Sequence, residues 1–274
     1  MSKKVIAVMA ALVLALSMAL VGCSSGTPST DTGGATDTTA DLKLLKEGVL
    51  TVGSDCDYPP FISLEGEKPV GFEYDLLEVI AADLGLTLEY LPPQSFDTLI
   101  TAVQGGGKMD LAVSSLTIND ERKESVNFCT PYFDSNQACV TLASSNYTKA
   151  SDFEGKTVGA QSGTTGFDWA QENIPGATVK PYNQTSEGLA ALQAGSIEAL
   201  FFDAPIAEYQ LQTNYPDMKM IEVIPTAEQY GFAVSKDNPA LEKAVNDSLK
   251  KLIDDGTYAE IFKQYFPNLE PSIK

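Results

Sequence analysis

Small polar side chains cluster at the ends of four short apolar segments of this chain. The clusters are Asp55, residues 114–117, residues 161–165, and Phe202 with Asp203. The apolar segments read as strands, and in open α/β sheets ligands bind beyond the carboxyl ends of the strands. Together the clusters offer groups that can bind a zwitterion, namely two carboxylates, several hydroxyls, one amide and a Gly-Thr pair. We therefore predict a binding site for a small charged molecule where these segments meet.

Arg122 is the only arginine of the sequence, and the other seventeen basic residues are lysines. It follows closely after the cluster at 114–117. A planar guanidinium binds a carboxylate through two hydrogen bonds, which a lysine ammonium does less well. Arg122 therefore predicts a carboxylate on the ligand. The alternative is an exposed side chain that pairs with the acids around it in the segment 120–124.

Three other features of the clusters have two interpretations each. Residues 162–166 open a helix with small side chains, and free N–H groups at a helix start bind anions, although such a start is common. Asp203 is suited to an ammonium group, but it also fits an ordinary helix cap. Tyr58 and Phe96 either belong to the core or lie on both sides of a ligand's aliphatic stem.

Composition argues against several classes of function. The sequence contains no histidine, which removes the Ser-His-Asp and Cys-His catalytic arrangements and the most frequent metal ligand. The formal net charge of −19 argues against nucleic acid as a partner, because phosphate contacts need clustered Lys and Arg. We expect no catalytic residue, no cofactor and no metal. The acidity indicates either solubility alone or a mild attraction for cations.

Short apolar strands alternate with amphipathic helices from residue 50 onward, which is typical of parallel α/β sheets. The predicted strands are 50–55, 87–91, 109–114, 157–161, 177–181 and 197–202, and the predicted helices are 73–84, 96–104, 165–172, 186–194, 240–254 and 258–265. A helix end, a Gly turn and a buried strand occur in the same order near 102–113 and near 191–201. This partial echo predicts two similar α/β lobes.

The first 22 residues have the pattern of a bacterial secretory signal. Two lysines precede an apolar run from 5 to 21, which is short for a membrane-spanning helix. The residues LVGC at 20–23 resemble a lipobox, at which a lipoprotein is cut before the cysteine that carries the lipid. We expect a signal peptide at 1–22, lipidation of Cys23 including palmitate, and a flexible tether at 23–41. The alternative is a plain signal peptide with an incidental cysteine.

Cys56, Cys129 and Cys139 give an odd number of thiols in an exported protein. Cys129 and Cys139 are ten residues apart in what reads as extended chain, which makes a bond between them implausible. A disulfide between Cys56 and Cys129 and three free thiols remain as alternatives.

Four ordered motifs resemble the polar amino-acid-binding proteins of ABC importers, the bacterial extracellular solute-binding proteins of family 3. The motifs are DCDYPPF at 55–61, VGFEYDL at 70–76, SSLTINDER at 114–122 and DDGTY at 254–258, and the resemblance spans residues 42–266. It implies the type II periplasmic-binding-protein fold, in which two α/β lobes joined by two hinge strands close over the ligand. Lobe 1 would comprise 42–134 and 230–274, and lobe 2 would comprise 135–229.

The resemblance also implies a role for each polar position that recognises the common part of an amino acid. The family's carboxylate clamp corresponds to Arg122 with the backbone N–H groups of Thr117 and Thr165. Its ammonium site corresponds to Asp203, the carbonyl of Ser115 and the hydroxyl of Thr117.

The side-chain end of the ligand falls on a second group of positions. The resemblance implies an aromatic sandwich of Tyr58 and Phe96 and a selectivity pocket of Asp55, Ser114, Gln161 and Phe202. Glutamine-binding members share the Asp at 55 but have Lys at 161 and His at 202, so this chain departs from them. A carboxylate in a desolvated pocket repels an acidic ligand and favours a cation or an amide. We therefore rank arginine or lysine first, glutamine second, small neutral amino acids third and acidic ones last.

The function implied by the resemblance is transport without catalysis. We expect a monomer, held by its lipid on the extracytoplasmic face of the cell membrane, that delivers an amino acid to ABC permease subunits. The alternative is an enzyme, because some dehydratases of aromatic-acid precursors resemble the same proteins. A carboxylate such as Asp55 would then have to donate the proton.

Overall fold

The computed structural model describes residues 42–273. The predicted signal peptide, Cys23 and the tether lie outside the described residues. Within 42–273, none of the helices has the length and apolar character needed to cross a membrane.

The strands are β1 (Val49–Gly53), β2 (Asp57–Tyr58), β3 (Ile62–Glu65), β4 (Lys68–Val70), β5 (Thr87–Tyr90), β6 (Leu111–Ala112), β7 (Val126–Phe128), β8 (Phe133–Leu142), β9 (Thr157–Gln161), β10 (Thr178–Tyr182), β11 (Ala199–Asp203), β12 (Met218–Tyr230) and β13 (Ala233–Ser235).

The helices pack on these strands through apolar faces. They are α1 (Phe72–Asp83), α2 (Leu99–Gln104), α3 (Asp120–Ser125), α4 (Thr165–Asn173), α5 (Thr185–Gln193), α6 (Ala204–Thr213), α7 (Pro239–Asp254) and α8 (Thr257–Tyr265), with short 3₁₀ helices at Phe96–Thr98 and Ala150–Phe153. Helix α1 buries Leu76, Leu77 and Ile80 as its periodicity predicts. Helix α7 is capped by Asn238, whose side chain accepts from the Leu241 N–H at 3.2 Å.

Two five-stranded mixed sheets form two α/β lobes, which confirms the predicted fold class. The first sheet has the order β5-β1-β6-β13-β7 and the second has the order β10-β9-β11-β8-β12. In each sheet three neighbouring strands are parallel, and the remaining pairs are antiparallel. A small sheet of β2, β3 and β4 lies beside α1.

Strands β8 and β12 lie where the chain passes between the two sheets. They pair in antiparallel fashion from Phe133 opposite Tyr230 to Leu142 opposite Met218. The pairing is irregular between Ile224 and Glu228, where Ala227 adopts a left-handed conformation with φ of 52°. Such a bulge bends a strand and re-aims the side chains that follow it.

The predicted strand at 109–114 is much shorter in the structure. Regular pairing covers only β6, although the Val113 N–H still donates to the Gly53 carbonyl at 2.9 Å. The chain then turns, because Ser115 adopts a left-handed conformation with φ of 48°. The other predicted strands and helices are present with ends shifted by a few residues.

The three cysteines of the described residues are free thiols and are buried. Of the two alternatives left by the sequence, the structure therefore has the free thiols and not the disulfide between Cys56 and Cys129. Burial raises the pKa of the Cys56 thiol to about 11. It raises the pKa of Cys129 and Cys139 far above the ordinary range, so all three remain protonated at neutral pH.

Candidate ligand-binding site

Three of the four polar clusters predicted from the sequence contribute residues to one small cavity. The cavity is lined by Tyr58, Phe96, Ser114, Ser115, Thr117, Arg122, Gln161, Thr164, Thr165 and Asp203. Its residues come from both lobes.

Arg122 is positioned by helix α3 and is only 9% exposed. The Asn119 side chain caps this helix by accepting from the backbone N–H of Arg122 at 2.8 Å. The guanidinium donates from Nη1 to the Thr117 carbonyl at 2.7 Å and from Nη2 to the Gly163 carbonyl at 3.0 Å. The interpretation of Arg122 as an exposed residue paired with neighbouring acids is therefore wrong.

Burial lowers the pKa of Arg122, but a guanidinium stays charged at neutral pH. The group lies 5.6 Å from the centre of the Phe96 ring, which is itself part of the cavity wall. A guanidinium has five N–H donors, so donors remain after the two bonds to backbone carbonyls. Arg122 is thus a rigid cationic group that can bind a carboxylate in the cavity.

Helix α4 begins in the cavity wall and supplies further donors. Thr164 caps the helix by accepting from the Phe167 N–H at 3.2 Å. The first N–H groups of a helix have no acceptor within it, so those that open α4 can bind an anion. Gly163 just before them has φ of 75°, and a Cβ there would lie 2.9 Å from the Cβ of Asp97 in the other lobe. Glycine at 163 therefore permits the close approach of the lobes.

Asp203 ends strand β11 and is buried in the cavity wall. Its carboxylate accepts from the Tyr230 hydroxyl at 2.5 Å and from the Gln137 amide. It precedes α6 but makes no side-chain capping bond, so the interpretation as an ordinary cap is wrong. Burial, together with the nearby Glu228, raises the pKa of Asp203 to about 7.

Glu228 is a second buried carboxylate at this place, and the sequence analysis missed it. It accepts from the Thr117 hydroxyl at 2.8 Å and from the Thr165 hydroxyl at 3.0 Å. The Gln137 amide donates both to Glu228 and to Asp203. Two carboxylates within reach of one amide attract a cation, and the charge of Glu228 raises the cost of ionising Asp203. The signal that could have identified Glu228 is its place after the β12 bulge, which is not visible in the sequence.

Glu73 lies behind the cavity and positions Ser115. Its Oε1 accepts from the backbone N–H of Ser115 at 2.6 Å and from the Ser115 hydroxyl at 3.1 Å, and the Tyr132 hydroxyl donates to the same oxygen. Burial raises the pKa of Glu73 to about 7. These bonds hold the left-handed backbone of Ser115 and thereby the direction of its carbonyl. The sequence analysis assigned no role to Glu73.

Asp55 is fully engaged by protein donors behind the cavity wall and does not line the cavity. Oδ1 accepts from the Ser114 hydroxyl at 2.5 Å, and Oδ2 accepts from the Gln161 amide at 2.9 Å. Burial raises the pKa of Asp55. Phe202 also does not line the cavity, because its side chain is buried in the core. Tyr58 lines the cavity, and its hydroxyl accepts from the Asp203 N–H at 3.2 Å.

Two α/β lobes around a small polar cavity define a binding protein of the type II periplasmic class. The chain matches the model of the bacterial extracellular solute-binding proteins, family 3, over residues 50–268. It therefore belongs to this family, as the motifs indicated.

Similar proteins are amino-acid-binding proteins of ABC transporters. The L-cystine-binding protein TcyJ of Escherichia coli (strain K12) is 31% identical over 228 residues, which are 82% of this chain and 85% of that protein. The ABC transporter arginine-binding protein 1 of the same strain is 31% identical over 224 residues, 80% and 90% of the two chains. The arginine-, lysine-, histidine-binding protein ArtJ from Geobacillus stearothermophilus is similar in structure, with a TM-score of 0.76, 32% identity and coverage of 82% and 97%.

Proposed function

We propose that this protein is the substrate-binding lipoprotein of an ABC importer and binds a free polar or basic L-amino acid. Arginine or lysine ranks first and glutamine second. The observation that carries the proposal is one cavity that combines the Arg122 guanidinium and the start of α4 with the Asp203 carboxylate. The Glu228 carboxylate lies directly behind it, where it accepts from the Thr117 and Thr165 hydroxyls. These groups match the α-carboxylate and the α-ammonium that every free amino acid carries.

The α-carboxylate is assigned to Arg122 and to the backbone N–H groups of Thr117 and Thr165. The two backbone carbonyls that accept from Arg122 fix its plane before a ligand arrives. A preorganised fork of this kind forms charge-assisted hydrogen bonds with little loss of side-chain entropy.

The α-ammonium is assigned to Asp203, with the Ser115 carbonyl and the Thr117 hydroxyl beside it. A buried carboxyl with a pKa of about 7 is only partly ionised at neutral pH. A cation placed against it favours the charged form and gains the full attraction. Glu228 lies close enough to strengthen this preference for a cation.

Asp55 supports the ranking of ligand side chains. Its oxygens accept from neutral groups, namely the Ser114 hydroxyl, the Gln161 amide and the Asp57 backbone N–H. A guanidinium or ammonium that displaces the amide would form a charge-assisted bond, which is the stronger kind. The amide of a glutamine ligand would replace the Gln161 amide with a hydrogen bond of the same kind, and an acidic ligand would be repelled. The similarity to arginine-binding proteins agrees with this order.

A thermal-shift screen of the twenty amino acids, followed by calorimetry, tests the proposal. Stabilisation by arginine, lysine or glutamine is expected by mass action, and stabilisation by glutamate alone would contradict the account of Asp55. A binding protein should also have a smaller radius of gyration in solution scattering when the ligand is added. Mass spectrometry of the released ligand separates a receptor from the dehydratase-type enzyme, because a receptor returns the amino acid unchanged.

The lipid anchor is tested separately from ligand binding. Cys23→Ser should abolish lipid attachment and release the protein from the membrane, since the thiol is the proposed attachment point. Partition between detergent and water measures this. A variant that enters the detergent phase as the wild type does would rule out the anchor while leaving the ligand site untouched.

A further inference from the structure

Four consecutive residues of lobe 1, 55–58, contact lobe 2 at three points. Asp55 accepts from the Gln161 amide at 2.9 Å, and the Tyr58 hydroxyl accepts from the Asp203 N–H at 3.2 Å. Between them, Asp57 accepts from the backbone N–H of Ser186 at 2.9 Å. Asp57 is not among the residues that line the cavity, so its contact has no part in ligand recognition as described above.

Asp57 supplies the cap that helix α5 lacks in its own lobe. The position before this helix is Gln184, whose side chain makes no capping hydrogen bond. The Ser186 N–H is one of the groups without an acceptor inside the helix, and a carboxylate there also interacts favourably with the helix dipole. The cap therefore exists only while the lobes are in contact.

The same corner of lobe 2 is connected to the cavity wall. Gln161 donates to the Asn183 carbonyl at 3.0 Å and accepts from the Thr185 hydroxyl at 3.0 Å, while its amide also donates to Asp55. Residues 183–186 are thus connected to lobe 1 in two ways. Ser186 binds Asp57 directly, and Asn183 and Thr185 bind Gln161, which in turn binds Asp55. Separation of the lobes would break both contacts.

We propose that Asp57 is a closure latch, a positioning residue that stabilises the closed arrangement and raises ligand affinity without contacting the ligand. This rests on the proposed function, in which an amino acid binds between lobes that close. The apparent affinity of such a ligand is proportional to the fraction of protein that can adopt the binding-competent arrangement. A cap that forms only on closure increases that fraction.

The test compares Asp57→Ala with a matched control, Asp152→Ala. Asp152 also accepts from backbone N–H groups at the start of a short helix, those of Thr148 and Lys149, but all three lie in lobe 2. Asp57→Ala should weaken L-arginine binding about three- to thirtyfold, the range expected for loss of a helix cap, mostly through faster dissociation. Asp57→Asn retains an acceptor oxygen, so its affinity for L-arginine should fall much less. Asp152→Ala should leave affinity and dissociation rate unchanged.

Solution scattering without ligand keeps this test independent of the proposed function. Asp57→Ala should have a larger radius of gyration than the wild type, and Asp152→Ala should not. If Asp57→Ala matches Asp152→Ala in scattering, the latch is refuted even though amino acids bind. If no amino acid binds the wild type, the proposed function fails, and the ligand-free scattering still decides whether Asp57 holds the lobes together.

Discussion

The two ends of the cavity use buried polar groups in opposite ways. At the first end, Arg122 and Asp203 keep part of their bonding capacity for a ligand, and Asp203 stands close to a second carboxylate. At the other end, Asp55 and Gln161 satisfy each other, with Ser114 and Thr185 completing the chain of hydrogen bonds. The first end keeps charged groups available for a ligand, whereas the polar groups of the second end already bind each other.

This difference separates general recognition from selectivity. A ligand at the first end adds interactions that the protein does not make by itself. A ligand at the second end must replace a protein hydrogen bond, so only the difference between two bonds counts. Hydrogen bonds to charged groups contribute about 1.5–3 kcal/mol, and neutral ones contribute about 0.5–1.5 kcal/mol. Substitutions at the first end should abolish binding, whereas those at the second should shift preference.

The largest effect is expected for Arg122→Ala. Removal of one partner of a buried charged pair costs about 2–5 kcal/mol, which corresponds to at least roughly thirtyfold weaker binding by calorimetry. Asp203→Ala should behave similarly. The control is Lys123→Ala, since the neighbouring Lys123 is exposed and pairs with Asp120 at the surface. Unchanged affinity in Arg122→Ala, with an intact melting transition, would remove Arg122 from the ligand site.

The next effect concerns pH and depends on Asp203. Its carboxyl has a pKa of about 7 because of burial and Glu228, so it takes up a proton as the pH falls through 7. Affinity for an ammonium should be full above this value and should fall by up to about tenfold per pH unit below it. Stability without ligand should change in the opposite direction, because the fold favours the neutral carboxyl between pH 7 and the ordinary value of 3.8.

Two variants isolate Asp203 in these pH measurements. Asp203→Asn should bind weakly at every pH, and its pH dependence should disappear because the titrating group is gone. Glu73→Gln removes the other carboxyl whose pKa is about 7 and should retain the slope, since Glu73 lies outside the cavity. A wild-type affinity that is constant from pH 5.5 to 8 would mean that Asp203 is not the ammonium partner.

The smallest effect is expected at the second end, for Asp55→Asn. The change removes the charge but keeps an acceptor, so a cationic side chain loses the advantage of a charged bond over a neutral one. The ratio of arginine to glutamine affinity should fall by about fivefold, while binding through the α-carboxylate and α-ammonium persists. Competition calorimetry measures the ratio. Complete loss of binding would show that both ends act as one unit.

The first end was predicted from the sequence because its residues follow regular elements. Thr165 opens a predicted helix and Asp203 follows a predicted strand, so their positions follow from periodicity and the strand-end rule. Arg122 was identified as the only arginine of the sequence, close after the cluster at 114–117. Glu228 could not be found in this way. The direction of the Glu228 side chain depends on a bulge in β12 and on the left-handed backbone of Ala227. Both follow from the pairing of β12 with β8. Residues whose place depends on tertiary pairing leave no periodic signal.

The second end shows a different limit. Asp55 was correctly assigned to a strand end, yet the sequence could not reveal that Ser114 and Gln161 would occupy both of its oxygens. Phe202 was predicted for the pocket from the resemblance to the family, but alternate residues of a strand face opposite sides, and its side chain enters the core. The local sequence indicates which strands and helices meet. Which hydrogen bonds a buried side chain makes depends on all the side chains around it in the folded protein.

The solitary arginine has a practical consequence for spectroscopy. Arg122 is the only guanidinium in the sequence, and it lies in the cavity wall. Protein grown with isotopically labelled arginine would therefore give one set of guanidinium nuclear magnetic resonance signals, free of overlap. Restricted rotation and slow hydrogen exchange of those signals in the purified protein would report directly on occupancy, so binding could be followed without a reporter dye.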